Sequence, residues 1–209
     1  MAVGRDDLLE WIAAVQRVYA INKQYLTDLD SAIGDADHGI NMDRGFTAVK
    51  TELDRSIPQD IDHVLKIVAT TLIKTVGGAS GPLYGTFFLR AASVCAGKNE
   101  LNAHDVVAML EAGLDGIIQR GKARQNDKTM VDVWVPAVNV MKQALHNEDR
   151  IKPILELGVS AAEQGMINTI PMQARKGRAS YLGERSIGHQ DPGATSSFWM
   201  LQKAAELWK

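Results

Sequence analysis

The sequence predicts an all-α protein, an antiparallel bundle of amphipathic helices with mostly short connections. Three observations carry that expectation. Apolar residues recur at the 3.6-residue helical spacing along most of the chain. Gly, Pro, Asp and Asn stand where those periodic segments begin and end. No strand-type segments alternate with helical ones, so no βαβ layering is expected. The 209 residues suffice for one well-cored domain over 1–209, and a second is not required.

Taken in order, Leu8, Trp11, Ile12, Val15, Val18 and Tyr19 follow i, i+3, i+4, i+7 spacing, so residues 6–29 read as one long helix. A second is expected over 41–54, before the break at Pro58. The third spans 61–75, with Val64, Leu65, Val68, Leu72 and Ile73 on its apolar side. Pro82 suits the first turn of a fourth, ending near Gly97. Asn102 and Asp105 have capping-box spacing ahead of Val106, Leu110, Leu114, Ile117 and Ile118.

Residues 130–146 fit two patterns. Val131, Val133, Val135, Val138 and Val140 suit a strand, whereas Trp134, Val138, Met141 and Leu145 fit a helical face. A lone strand has no pairing partner, so helix is expected. A further helix covers 151–170. The last runs from 192 to 208, with Asp191 as N-cap and Pro192 at its first position. Residues 171–190 have neither period. They carry Arg175, Lys176, Arg178 and Arg185, and read as a functional loop, a lid over an anion, rather than a plain surface excursion.

Composition excludes several classes. Hydrophobic residues make up 45%, which rules out a disordered chain, and a net charge of −2 gives no basis for nucleic-acid binding. No apolar run approaches the ~20 residues of a membrane span. Nothing after Met1 resembles a signal-peptide core. The single cysteine, Cys95, is expected to be buried and inert. A cytoplasmic protein fits these features.

The chemistry concentrates in Gly34-Asp35-Ala36-Asp37-His38-Gly39, with Asp30 just upstream. Three carboxylates this close repel one another unless a cation sits among them. Oxygen donors suit Mg²⁺, Ca²⁺ or Mn²⁺ rather than Zn²⁺. An acidic turn is the alternative for Asp35-Ala36-Asp37 alone. A calcium loop starting at Asp35 fails, because Ile40 and Phe46 occupy the positions that need Gly and Glu. Mg²⁺ usually pairs one or two carboxylates with substrate phosphates. Glycine-rich segments at helix starts supply phosphate-binding candidates: Gly77-Gly78-Ala79-Ser80-Gly81-Pro82 and Asp191-Pro192-Gly193. A tight helix–helix turn explains the first equally well, and an ordinary cap the second. Gly121 and Met130 flank a polar stretch, 122–129, that could form another wall. His38 is open to three roles: phosphoryl acceptor, general base, or donor to a ligand or the backbone. Carboxylates for a divalent cation, glycine-lined helix starts and an arginine loop together suit phosphoryl transfer.

These segments, with Gly121-Lys122 and Ala174-Arg175-Lys176-Gly177-Arg178-Ala179-Ser180-Tyr181-Leu182-Gly183, resemble the nucleotide-binding part of dihydroxyacetone kinases over nearly the whole chain. The resemblance implies an antiparallel barrel of eight amphipathic helices with a nucleotide and two Mg²⁺ ions at one end. It implies Asp30, Asp35 and Asp37 as metal ligands. His38, Gly39, Ile40, Asn41, Ala79 and Ser80 would border the phosphates. Gly121 and Met130 would line the nucleotide pocket, completed by Arg178 and the Asp191, Pro192 and Gly193 turn. His38 and Arg178 are the candidate catalytic residues.

In one form of the family this barrel is fused to a substrate domain. In the other it is a separate subunit of about this length, as expected here, in a bacterial cytosol. Its ADP is phosphorylated to ATP by a phosphohistidine protein of the phosphoenolpyruvate-dependent phosphotransferase system. The γ-phosphoryl then passes to dihydroxyacetone on a partner subunit. The resemblance also allows a nucleotide-loaded subunit that binds a transcription regulator, or a kinase subunit serving another small acceptor.

Overall fold

The computed structural model describes residues 2–209 and has the all-α architecture expected. Nine α-helices occur among the described residues: α1 (Arg5–Ile21), α2 (Lys23–Ile33), α3 (His38–Ser56), α4 (Ile61–Thr75), α5 (Ser80–Cys95), α6 (Ala103–Gly121), α7 (Val131–Ala144), α8 (Ile151–Asn168) and α9 (Pro192–Leu207). Eight of them, α1 and α3 through α9, pack each on the next and close into a ring where α9 meets α1. Helix α2 lies against α3 and α9.

The ring encloses an aromatic core. The Trp11 and Trp208 rings meet at 5.0 Å, Tyr19 and Phe46 at 5.0 Å, and Phe87 and Trp134 at 4.9 Å. Trp11 donates its indole N–H to the Met200 carbonyl at 2.8 Å, so the ring nitrogen is satisfied inside the core.

Three departures from the sequence-based expectation have local causes. The helix expected over 6–29 breaks at Asn22. Its backbone N–H and its side-chain amide both donate to the Val18 carbonyl, at 3.1 and 2.8 Å, and end α1. Helix α3 begins at His38 rather than 41, because the preceding turn is already folded back by Asp30. Val3–Gly4 pairs antiparallel with Glu100–Leu101, a two-residue ladder too short to leave a periodic signal. Segment 130–146 is helical, as expected. Pro136, inside α7, has no N–H for the Asp132 carbonyl four residues back. Gly165 of α8 packs directly on that carbonyl, where a Cβ would collide.

Alternation around the ring brings the starts of α3, α5, α7 and α9 to one end. Each contributes the positive pole of a helix dipole. That end holds most of the residues singled out from sequence.

Candidate nucleotide and metal site

Asp30 lies on the last turn of α2, and Asp35 and Asp37 on the turn to α3. One carboxylate oxygen of each lies within 4.8 Å of the others. Asp30 Oδ2 accepts the backbone N–H of Asp37 at 2.8 Å and of His38 at 3.1 Å, which curls the turn over α2. Ala36 adopts φ 60° to make that curl. A Cβ on Gly34 would collide with Asp30 Oδ1, so glycine there keeps the free Asp30 oxygen open to the cluster. Asp35 Oδ2 meets Arg178 Nε at 2.7 Å, so the long loop already lays one positive charge on the acidic group. All three donors are hard oxygens, a set that fits Mg²⁺.

Beside the cluster is a cavity of about 440 Å³. Of the residues singled out from sequence, Asp30, Asp35, Asp37, His38, Ala79 and Ser80 line it. Gly121, Met130, Arg178, Asp191, Pro192 and Gly193 line the remainder. Gly39, Ile40 and Asn41 are not in its wall. Gly39 packs against the Lys23 carbonyl of α2, Ile40 faces outward, and Asn41 accepts from Arg44 at 2.6 Å.

His38 is buried between two hydroxyls. Its Nδ1 is 3.2 Å from Ser80 Oγ and its Nε2 2.8 Å from Ser196 Oγ. Tyr84 Oη joins Ser196 and Ser197 at 2.7 and 2.9 Å, and Tyr19 donates to the Ser196 carbonyl at 2.7 Å. Burial lowers the His38 pKa to about 4, against a small opposing pull from Asp37. His38 is therefore a neutral hydrogen-bonding group at pH 7. Asp191 caps α9, accepting the Ala194 N–H at 2.7 Å. Burial pushes its carboxyl up to about 7, partly offset by that N–H and by Lys128.

The long loop is more ordered than its sequence suggests. Arg178–Ser186 forms a 3-10 helix kinked at Gly183, where φ is 57°. The base is tied: Gly188 N–H donates to the Ile170 carbonyl at 2.8 Å, and Ala174 N–H to Ser186 Oγ at 2.9 Å.

Sequence reasoning missed the hydroxyl network of Tyr84 and Ser196, whose members are ordinary core-facing residues in sequence. It also missed the part played by Lys128 within the polar stretch. The carbonyl partners of Lys128 lie 41 to 61 residues away, so no local pattern marks them. His63, His104 and His146 are exposed, away from this cluster.

Comparison with known proteins identifies the family. The DAK2 domain matches residues 32–206. The chain is 48% identical over 205 residues to the PEP-dependent dihydroxyacetone kinase, ADP-binding subunit DhaL of Escherichia coli, covering 98% of each chain. It is 39% identical over 202 residues to the PTS-dependent dihydroxyacetone kinase, ADP-binding subunit DhaL of Lactococcus lactis, covering 97% of each. In shape it matches the crystal structure of the C. freundii dihydroxyacetone kinase in complex with AMP-PNP and Mg²⁺. The TM-score is 0.74 at 23% identity, over 99% of this chain and 34% of that longer one, a likeness of fold alone. The eight-helix ring, the acidic cluster at its open end and a domain match spanning most of the sequence lead to one conclusion: this chain belongs to the DAK2 domain family, with the ADP-binding subunits of dihydroxyacetone kinases among its relatives.

Proposed function

We propose that this chain is the ADP-binding subunit of a phosphoenolpyruvate-dependent dihydroxyacetone kinase. One observation carries the reading. Three carboxylates converge within 4.8 Å at the mouth of a cavity where four helix starts meet. Helix starts attract phosphates, and clustered carboxylates attract the cations that accompany phosphates.

Asp30, Asp35 and Asp37 would hold two Mg²⁺ ions, which supply charge neutralisation to the phosphate oxygens. Ser80, Ala79 and the start of α5 sit where the phosphates would lie, with Gly121 and Met130 against the nucleoside. Neutral His38 donates or accepts a hydrogen bond and adds no charge. Arg178 reaches the same point from the loop, and its planar fork suits two phosphate oxygens.

In the first half-reaction a phosphohistidine P–N bond breaks and a P–O bond forms on the terminal oxygen of ADP. In the second, the γ P–O bond of ATP breaks as the phosphoryl joins a hydroxyl of dihydroxyacetone presented by the partner subunit, and the hydroxyl proton leaves. The residues around the phosphates serve both directions by positioning and charge balance.

Retention of the nucleotide tests the reading. Purified protein should keep about one ADP per chain through gel filtration, and chelation should release it with a fall in Tm, by ligand linkage. Asp37→Ala should elute empty with its helix content intact. Wild-type protein that gains no stability from ADP with Mg²⁺ would contradict the assignment.

A further inference from the structure

Lys128 sits on the wall of the cavity, yet its charge is directed away from it. The residue is 1% exposed and its Nζ lies among backbone carbonyls. It donates to Thr169 O at 2.7 Å, to Met172 O at 3.2 Å and to His189 O, with Ile170 O at 3.5 Å. Thr169, Ile170 and Met172 lead into the long loop, and His189 leads out of it.

The backbone around Lys128 is built to aim it there. Lys128 has φ 62°, a left-handed conformation that costs an L-residue about 1–2 kcal/mol. Asp132 holds the turn, accepting N–H from Asn126 and, at 2.8 Å, from Thr129. A second grip comes from the adjacent residue: Arg175 N–H donates to the Asp127 carbonyl at 3.1 Å. A lysine beside a phosphate cavity would ordinarily donate to phosphate. Here all three ammonium protons have carbonyl acceptors that would otherwise lack a charged donor. Beyond this neck the loop meets α2 and places Arg178 on Asp35.

We propose that Lys128 is a positioning residue for the nucleotide site: it staples the two ends of the 169–190 segment, and so holds Arg178 over the cavity. The inference rests on the nucleotide-binding reading for its consequence, whereas the staple itself is a property of the loop. Losing the ammonium takes the donor from the Met172 and His189 carbonyls, one on each side of the neck, and lets the neck open, which frees Arg178 from its place. The nucleotide would then leave faster without any of its own contacts having been changed.

Lys128→Met keeps the length of the side chain and removes the charge. It should speed ADP dissociation by about tenfold or more, the range set by loss of a buried charged hydrogen bond. Amide exchange over 170–190 should quicken while α4 and α5 stay protected. In an Arg178→Ala background the same substitution should add little, because the two act through one loop. Equal acceleration in both backgrounds, or none in either, would overturn the proposal. If Lys128→Met does not fold, nucleotide-free wild-type protein gives the answer: the amides of Ala174, Arg175 and Gly188 should exchange as slowly as helix amides, and exchange at the pace of an unstructured peptide there would overturn it. Wild-type protein that binds no ADP would instead sink the functional reading, and the exchange measurements would still judge the staple.

Discussion

His38 and Asp191 sit at the same end of the ring, and burial shifts both toward their uncharged forms. For His38 the folded pKa is about 4 against an ordinary 6.5. The folded protein thus binds fewer protons than the unfolded chain in that window, and stability contributed by neutral His38 is lost as pH falls from about 6.5 to 4. The full shift corresponds to about 3 kcal/mol. For Asp191 the folded value is about 7 against an ordinary 3.8. Its contribution is present at low pH and is lost as pH rises toward 7. The two slopes oppose each other across nearly the same range. Asp191→Asn keeps the cap on Ala194 N–H but cannot ionise, so in nucleotide-free protein the rise of Tm from pH 4 to 6.5 should be steeper than in wild type. Melting curves at several pH values read this directly, and an unchanged slope would mean that Asp191 is not held protonated. At the same scale, the Asp35–Arg178 pair is exposed, and such pairs contribute little to stability, so its importance lies in placing the arginine.

At the scale of elements, the crossing of α2 and α3 is set by glycine. Gly39 stands where its missing Cβ would strike the Lys23 carbonyl, with Thr27 Oγ1 also close by. The family resemblance assigns Gly39 to the phosphate border, and the fold gives it a packing role between helices as well. Gly39→Ala should therefore cost about 1–3 kcal/mol through overpacking. The loss should appear in urea unfolding of nucleotide-free protein, where a purely ligand-binding residue would show none. The helical segments themselves were largely legible. The expected 61–75 helix is α4, and the Asn102–Asp105 capping box is present, with Asp105 N–H donating to Asn102 Oδ1 at 3.0 Å. The break at Asn22 was not legible, because the apolar face runs on to Leu26, which is buried like its predecessors. Periodicity reports which face is buried and is silent about a one-residue interruption of the axis.

At the scale of the molecule, closure of eight helices into a ring gathers four helix starts at one end, and the cavity is formed by that convergence. Everything gathered there suits a nucleotide and its cations. Transfer to an acceptor further requires the hydroxyl to be held in line with the phosphoryl group, and such placement is worth on the order of 7–11 kcal/mol of barrier. We expect this chain alone to turn over free dihydroxyacetone and ATP at a negligible rate, and activity to appear when a dihydroxyacetone-binding subunit is added. A coupled assay with and without that subunit checks it, and robust turnover by the lone chain would contradict the division of labour.

The sequence by itself determined the helical class, the boundaries of most helices beyond α3, the three aspartates and the glycine-lined helix starts. These are local facts: spacing of apolar side chains, capping chemistry, and acidic residues close along the chain. Asp30, Asp35 and Asp37 could be grouped on sequence alone because only a short turn separates them. Tertiary structure alone decided which members of the long motifs face the cavity. It packed Gly39 on the Lys23 carbonyl and set His38 against Ser196, 158 residues further on. It also directed Lys128 onto carbonyls rather than phosphate. The physical reason is that hydrogen-bond partners and burial depend on how helices cross, and crossings are set by contacts between residues far apart in the chain.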